Sequence, residues 1–125
     1  MNILKALLLS LITLIGCSSS PKVHLTQSPI EVESQDLDKY WVQDSGKFKF
    51  TSRAKLPKTN GYVLINYLVD SNGEIFNPTI VESSPKGEWE LIALEALSRL
   101  NYLPSKSNSA KIPVYVTSEF KFLDQ

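Results

Sequence analysis

The stretch Gly61-Tyr62-Val63-Leu64-Ile65-Asn66-Tyr67-Leu68-Val69-Asp70-Ser71-Asn72-Gly73 decides the fold of this 125-residue chain. Alternate side chains of a strand lie on one face, and here one such face is wholly apolar. The Asp-Ser-Asn-Gly sequence that follows is typical of a turn, because Asn and Gly tolerate positive φ. The stretch therefore predicts a strand over Tyr62–Val69, a turn, and a second strand over Glu74–Ser83. Pro78 cannot donate to a ladder, so the second strand belongs at an edge or a bulge.

A helix is predicted next, over Lys86–Asn101. Ser83 or Ser84 would cap its N-terminus, with Pro85 in the first turn. Its apolar residues recur every three or four positions, and they are Trp89, Ile92, Ala93, Ala96, Leu97 and Leu100.

A polar loop over 105–111 leads to a last strand over Ile112–Leu123, whose apolar residues again alternate. The order strand, strand, helix, strand predicts an α+β domain with helical packing on a small antiparallel three-stranded sheet. Tyr40–Val42 and Lys47–Phe50 flank a turn-like Asp-Ser-Gly and suggest a weak hairpin or entry strand.

Composition excludes several functions. The 13 basic and 13 acidic residues balance, so no nucleic-acid surface is expected. One Cys and one His, His24, permit neither a disulfide nor the usual zinc site. Asp36, Asp38 and Asp44 lack the spacing of a calcium loop. No nucleophile–base pair is visible, so we expect neither enzymatic activity nor a cofactor.

The N-terminus has the pattern of an export signal over residues 1–16, with Lys5 before a short apolar run. That run is about half the ~20 residues a membrane span needs. Residues 17–39, rich in Ser, Gln, Pro and acidic residues, are predicted to be an extended tether, with the folded domain over 40–125.

The sequence Leu14-Ile15-Gly16-Cys17 resembles the lipobox of bacterial lipoprotein precursors. The resemblance implies cleavage between Gly16 and Cys17, with acyl chains attached at Cys17. Ser18, in place of an Asp, favours the outer membrane over the inner one under enterobacterial sorting rules. An ordinary signal peptide and a retained anchor are the alternatives.

Residues 50–123 resemble the C-terminal domain of the TonB family of Gram-negative energy transducers. Phe50-Thr51-Ser52-Arg53-Ala54 is similar to the opening aromatic-Pro-x-Arg-Ala motif, with Thr in place of Pro. Gly61 through Gly73 is similar to the Gly-initiated strand that ends in Asp and a Gly turn. Ala96 through Pro104 matches the helix end, with Leu100 where many members have Trp. The alternating strand Val114–Phe122 closes the match.

Two features depart from the family pattern. Pro57 lies in the short helix expected after Ala54 and should shorten it. The sequence also lacks a transmembrane helix and a Pro-rich spacer of the kind a transducing member carries, so we do not expect energy transduction by this chain alone.

The resemblance implies binding of extended peptides at the edge of the final strand by strand addition. The partners would be envelope proteins such as TonB-dependent receptors or transducer components. Arg53 either contacts a partner or braces the fold. A structural envelope lipoprotein, or a conventional transducer with an uncleaved N-terminus, are the alternatives. The predicted edge residues are Val114, Tyr115, Val116, Thr117, Ser118, Glu119 and Phe120.

Overall fold

The computed structural model of the chain describes residues 22–46 and 55–123. They form an α+β fold, as predicted. In chain order the elements are β1 Ile30–Val32, a 3₁₀ helix Ser34–Lys39, β2 Trp41–Gln43, β3 Gly61–Val69, β4 Ile75–Ser84, α1 Glu90–Ser98, β5 Tyr102–Pro104 and β6 Val114–Phe122.

The main sheet has four strands in the order β1-β6-β3-β4. β3 is central and antiparallel to both β4 and β6, whereas β1 runs parallel to β6. A separate two-stranded antiparallel sheet joins β2 and β5. The prediction of a three-stranded sheet is therefore wrong in size: β3, β4 and β6 are the predicted strands, and β1, β2 and β5 are additional. Pro78 lies on an edge strand whose register shifts twice, as predicted.

The core forms where one face of β3 packs under α1. Every apolar residue predicted on that face is fully buried, and the helix contributes its apolar stripe to the same cluster. Half-buried Leu100 packs at its margin. The buried side chains of this cluster are Trp41, Val63, Ile65, Tyr67, Val69, Trp89, Ile92, Ala93, Leu97, Tyr102, Val114 and Val116.

The helix is shorter than predicted and begins in a different way. It starts at Glu90, not Lys86, because Gly87 takes a φ of 85° that interrupts a helical turn. No serine caps it. Instead the Ser83 hydroxyl and the Gly87 N–H both donate to the Glu90 Oε1, at 2.6 and 2.7 Å. Glu90 therefore closes the turn that leads into α1.

The segment predicted to be a tether differs most from expectation. Residues 22–39 lie against the domain and contribute β1 and the 3₁₀ helix. Ser71 N–H donates to the His24 carbonyl at 2.8 Å, and the Thr26 N–H donates to the Ser71 hydroxyl at 2.9 Å. The packed unit therefore begins well before residue 40. Residues 47–50 of the predicted hairpin lie outside the described residues, and β2 pairs with β5 instead.

Candidate functional site

The candidate site is the outer edge of β6, the edge that faces away from β3. Ile30 of β1 donates its N–H to the Pro113 carbonyl at 3.1 Å, just before β6 begins. Backbone groups alternate in direction along a strand, and the β3–β6 register is continuous. The N–H and C=O groups of Thr117, Glu119 and Lys121 therefore point to the same outer side as the Pro113 carbonyl.

β1 covers only the first part of this side. Its three residues pair with Val114, Tyr115 and Val116. The parallel register of Val32 with Val116 directs the Thr117 N–H to the Val32 carbonyl. Within the two described ranges, no strand pairs with the outer side of β6 from the Thr117 carbonyl to Phe122. Of the predicted partner edge, β1 therefore pairs with Val114–Val116. The open stretch is Thr117–Phe122, and the partner role of the edge remains a prediction.

The side chains of the open stretch divide between the two faces of the sheet. Ser118 lies on the core side, where its hydroxyl is 2.9 Å from the Tyr67 hydroxyl, itself 2.8 Å from that of Tyr102. Burial raises the pKa of Tyr67 and of Tyr102, so both phenols stay protonated and hydrogen-bonded. On the other face the Asn66 amide donates to the Thr117 hydroxyl at 3.1 Å. These bonds hold the strand from within and leave its outer backbone groups uninvolved.

The far end of β6 is held by aromatic stacking. The rings of Trp89 and Phe122 lie parallel with centroids 4.3 Å apart, and the Trp89 indole donates to the Thr59 carbonyl at 3.0 Å. Gly61 allows this approach, because a Cβ there would overlap the Trp89 ring and lie 2.7 Å from the Ser84 carbonyl. A shallow depression of about 370 Å³ lies beside this end, lined in part by Glu119, Lys121 and Leu123. The open stretch is therefore rigidly supported at both ends.

The opposite edge of the sheet, β4, is less suited to pairing. Its register with β3 shifts at two places, Asn77 takes a positive φ of 53°, and Pro78 has no N–H. Such irregularities are how proteins protect an edge against strand addition. Of the two sides, the open stretch of β6 is the regular one.

The residues that fasten the N-terminal segment were missed by sequence reasoning. Asp70 is fully buried, and its carboxylate accepts the N–H groups of His24, Asn72 and Glu74 at 2.9 to 3.0 Å. The Trp41 indole donates to the Ile112 carbonyl at 2.8 Å. The alternation Ile30-Glu31-Val32 is the one signal for β1, and three residues are too few to separate it from chance.

The remaining predicted site residues either lie outside the described residues or are exposed. Gly16, Cys17 and Arg53 lie outside the described residues, as does the motif that contains Arg53. The His24 side chain is exposed. Across residues 22–46 and 55–123, no group of three His, Cys, Asp or Glu side chains has the arrangement of a metal site. None of the helices in those ranges is long and apolar enough to cross a membrane.

Comparison with known proteins identifies the domain. A search of curated proteins finds no match to this chain. The family model described as Gram-negative bacterial TonB protein C-terminal matches residues 47–123. That range contains β3, β4, α1, β5 and β6, and with them the whole open stretch. Because the match covers more than half of its length, the chain belongs to the TonB C-terminal family.

Proposed function

We propose that this protein is a lipid-anchored, periplasm-facing binding module that pairs the open stretch of β6 with extended segments of outer-membrane transport proteins. Membership of the TonB C-terminal family makes it a TonB-like protein-interaction module. The observation that carries the finer proposal is the outer side of Thr117–Phe122, whose backbone groups, apart from the Thr117 N–H that faces Val32, have no strand partner among the described residues.

Strand addition suits this edge for a physical reason. The outward C=O group of Thr117 and the outward N–H and C=O groups of Glu119 and Lys121 would form a ladder with any extended chain, whatever its sequence. Selectivity would come from side chains at alternate positions. The charged groups of Glu119 and Lys121 are 3.7 Å apart and exposed. They would favour partners that carry the opposite charges at the facing positions.

The edge is tested by a pair of substitutions at one residue. Glu119→Pro removes an outward N–H without touching the inward ladder to β3, whereas Glu119→Ala removes the same carboxylate and keeps that N–H. The probes are synthetic peptides from the periplasmic segments of outer-membrane receptors of the host. We expect the proline variant to bind at least about tenfold more weakly, as loss of a main-chain hydrogen bond and a ring in the interface would cause. The alanine variant should stay within about threefold of wild type.

Equal binding by the two variants would refute pairing at this edge. Near-ultraviolet circular dichroism of each variant checks that the Trp89–Phe122 stack is intact, since a proline that unfolded the strand would lower binding for another reason.

The anchor is proposed from the lipobox-like Leu14-Ile15-Gly16-Cys17. Intact-mass spectrometry of protein purified from host membranes should give a chain that starts at Cys17 with added acyl mass. A chain that still carries Met1 would favour the conventional transducer instead, and an unmodified Cys17 would favour a free periplasmic protein. Deletion of the gene separates transport from a structural role: normal uptake of iron chelates with a weakened envelope would contradict the transport proposal.

A further inference from the structure

β1 comes from the part of the chain that precedes the family match, and yet it joins the main sheet. The family model matches residues 47–123, and Ile30–Val32 lies outside that range. Nevertheless β1 is hydrogen-bonded to β6 on the very side where the edge continues as the open stretch. This chain therefore adds, from its own N-terminal segment, a strand to the edge of the family's sheet.

The contacts of β1 resemble those of an inserted peptide. Ile30 and Val32 are half-buried and pack against the core, whereas Glu31 between them is exposed. Strand addition uses this combination of main-chain pairing and alternate side chains in shallow sites. β3, β4, β6 and α1 pair and pack with one another without β1. The pairing of β3 with β4 and β6 therefore does not depend on β1.

We infer that β1 is an exchangeable strand: it holds, within the chain, pairing positions on β6 that a partner segment takes when it binds. The fitting partner is an extended segment that runs parallel to β6, with branched aliphatic residues two positions apart opposite Val114 and Val116. This inference rests on the proposed use of the β6 edge for binding.

A partner segment longer than β1 can pair with more positions of β6 than β1 does. β1 pairs with only three positions of β6, a strand of nine residues. A longer segment would pair with these and also with the outward groups of Thr117, Glu119 and Lys121. β1 has the opposite advantage: because it belongs to the same chain, its local concentration is of about millimolar order, as for segments on short linkers. Short peptides should therefore lose to β1 and longer segments should displace it.

The test uses a fluorescent peptide with the sequence of residues 27–33, Gln-Ser-Pro-Ile-Glu-Val-Glu, and the full chain. Ile30→Pro removes the N–H that bonds to the Pro113 carbonyl. Glu31→Pro is the matched control, because the N–H of Glu31 points away from β6. We expect the Ile30→Pro chain to bind the peptide at least tenfold more tightly than wild type, with Glu31→Pro close to wild type.

A second measurement follows β6 directly. The outward Tyr115 amide should exchange hydrogen faster in the Ile30→Pro chain than in wild type, and the added peptide should restore its protection. Val32→Asn, which loosens β1 through its side chain, provides an independent variant. Absence of peptide binding to both variants, with the β3 amides still protected, would overturn the inference.

Receptor-derived peptides that extend past the open stretch separate this inference from the proposed function. If they bind wild type and Ile30→Pro equally, β1 is not exchanged and the inference fails, while edge binding survives. If they bind neither chain although the residue 27–33 peptide binds Ile30→Pro, the exchangeable strand is supported and the proposed partner class fails.

Discussion

At the scale of single residues, Asp70 connects the N-terminal segment with the sheet. Its carboxylate is fully buried where β3 ends, and one of its three backbone donors is His24, 46 positions away. A buried carboxylate is tolerated because these charge-assisted hydrogen bonds replace its water. The sequence suggests Asp70 as a turn residue, which it is, but its bond to a distant backbone N–H has no local pattern.

Asp70→Ala should therefore lower the free energy of unfolding by at least about 3 kcal/mol, because hydrogen bonds to charged groups contribute about 1.5–3 kcal/mol each. Urea unfolding followed by tryptophan fluorescence measures the change. Asp38→Ala, at an exposed position, is the control and should stay within about 0.5 kcal/mol. Equal effects at both positions would contradict the anchoring role of Asp70.

Glu90 makes the start of α1 sensitive to pH. Hydrogen bonds from the Ser83 hydroxyl and the Gly87 N–H lower the pKa of Glu90 below its ordinary value of 4.5. A lowered pKa gives stability that is present above the ordinary value and is lost as the pH falls through the folded-state pKa. Wild type should thus be more stable than Glu90→Gln at pH 7, and the difference should shrink below about pH 4. Melting temperatures across pH 3–7 measure it, and a constant difference would count against this coupling.

At the scale of elements, the junction between β3 and α1 depends on a close approach at Gly61. The Trp89 ring occupies the space where a side chain would lie, and it stacks on Phe122 from there. The helix, the central strand and the last strand therefore meet at one point, near the end of the open stretch.

Two glycine substitutions separate close packing from backbone conformation. Gly61→Ala should destabilise the fold by about 2–3 kcal/mol or more, because the added methyl group overpacks a fixed site. Gly87→Ala meets open space but has a positive φ, so it should cost only about 1–2 kcal/mol. Thermal unfolding ranks the two variants, and a larger loss for Gly87→Ala would contradict the packing explanation.

Elements with a strong internal period could be predicted from the sequence, and those without one could not. β3, β6 and the apolar stripe of α1 have such periods, β4 was predicted from the turn that precedes it, and the structure has all four. β1, β2 and β5 have three residues each, and only β2 was suggested by the sequence, as a weak entry strand over Tyr40–Val42. The start of α1 was misplaced because Glu90 closes the preceding turn, a contact that no capping pattern describes. The alternating pattern predicts β6 as a strand, but it does not predict that the short β1 pairs with part of its edge.

At the scale of the whole molecule, the stable unit extends beyond the region that the family model matches. Trp41 is 1% exposed, belongs to the main core cluster and hydrogen-bonds to Ile112. It comes from the segment before residue 47, as do β1 and the His24 N–H that donates to Asp70. The N-terminal segment is therefore packed as a part of the domain, in addition to linking the domain to the preceding residues.

A chain that starts at Lys47 should accordingly be far less stable than one that starts at Lys22. Loss of Trp41 alone should cost about 3–5 kcal/mol, which is a large share of the 5–15 kcal/mol typical of a domain. Guanidinium unfolding and size-exclusion chromatography compare the two chains. Matching unfolding midpoints would mean that residues 22–46 only rest on an independent domain.

The packing of the segment from His24 to Lys39 would also limit how far the proposed lipid-anchored protein reaches from a membrane. In the proposed lipid-anchored form, residues 18–23 would separate an acylated Cys17 from His24, the first residue that bonds to the domain, by at most about 25 Å. A free tether up to residue 39 would have allowed several times that distance. A domain anchored in this way would stay close to the bilayer surface, and the segments it binds would have to reach the membrane.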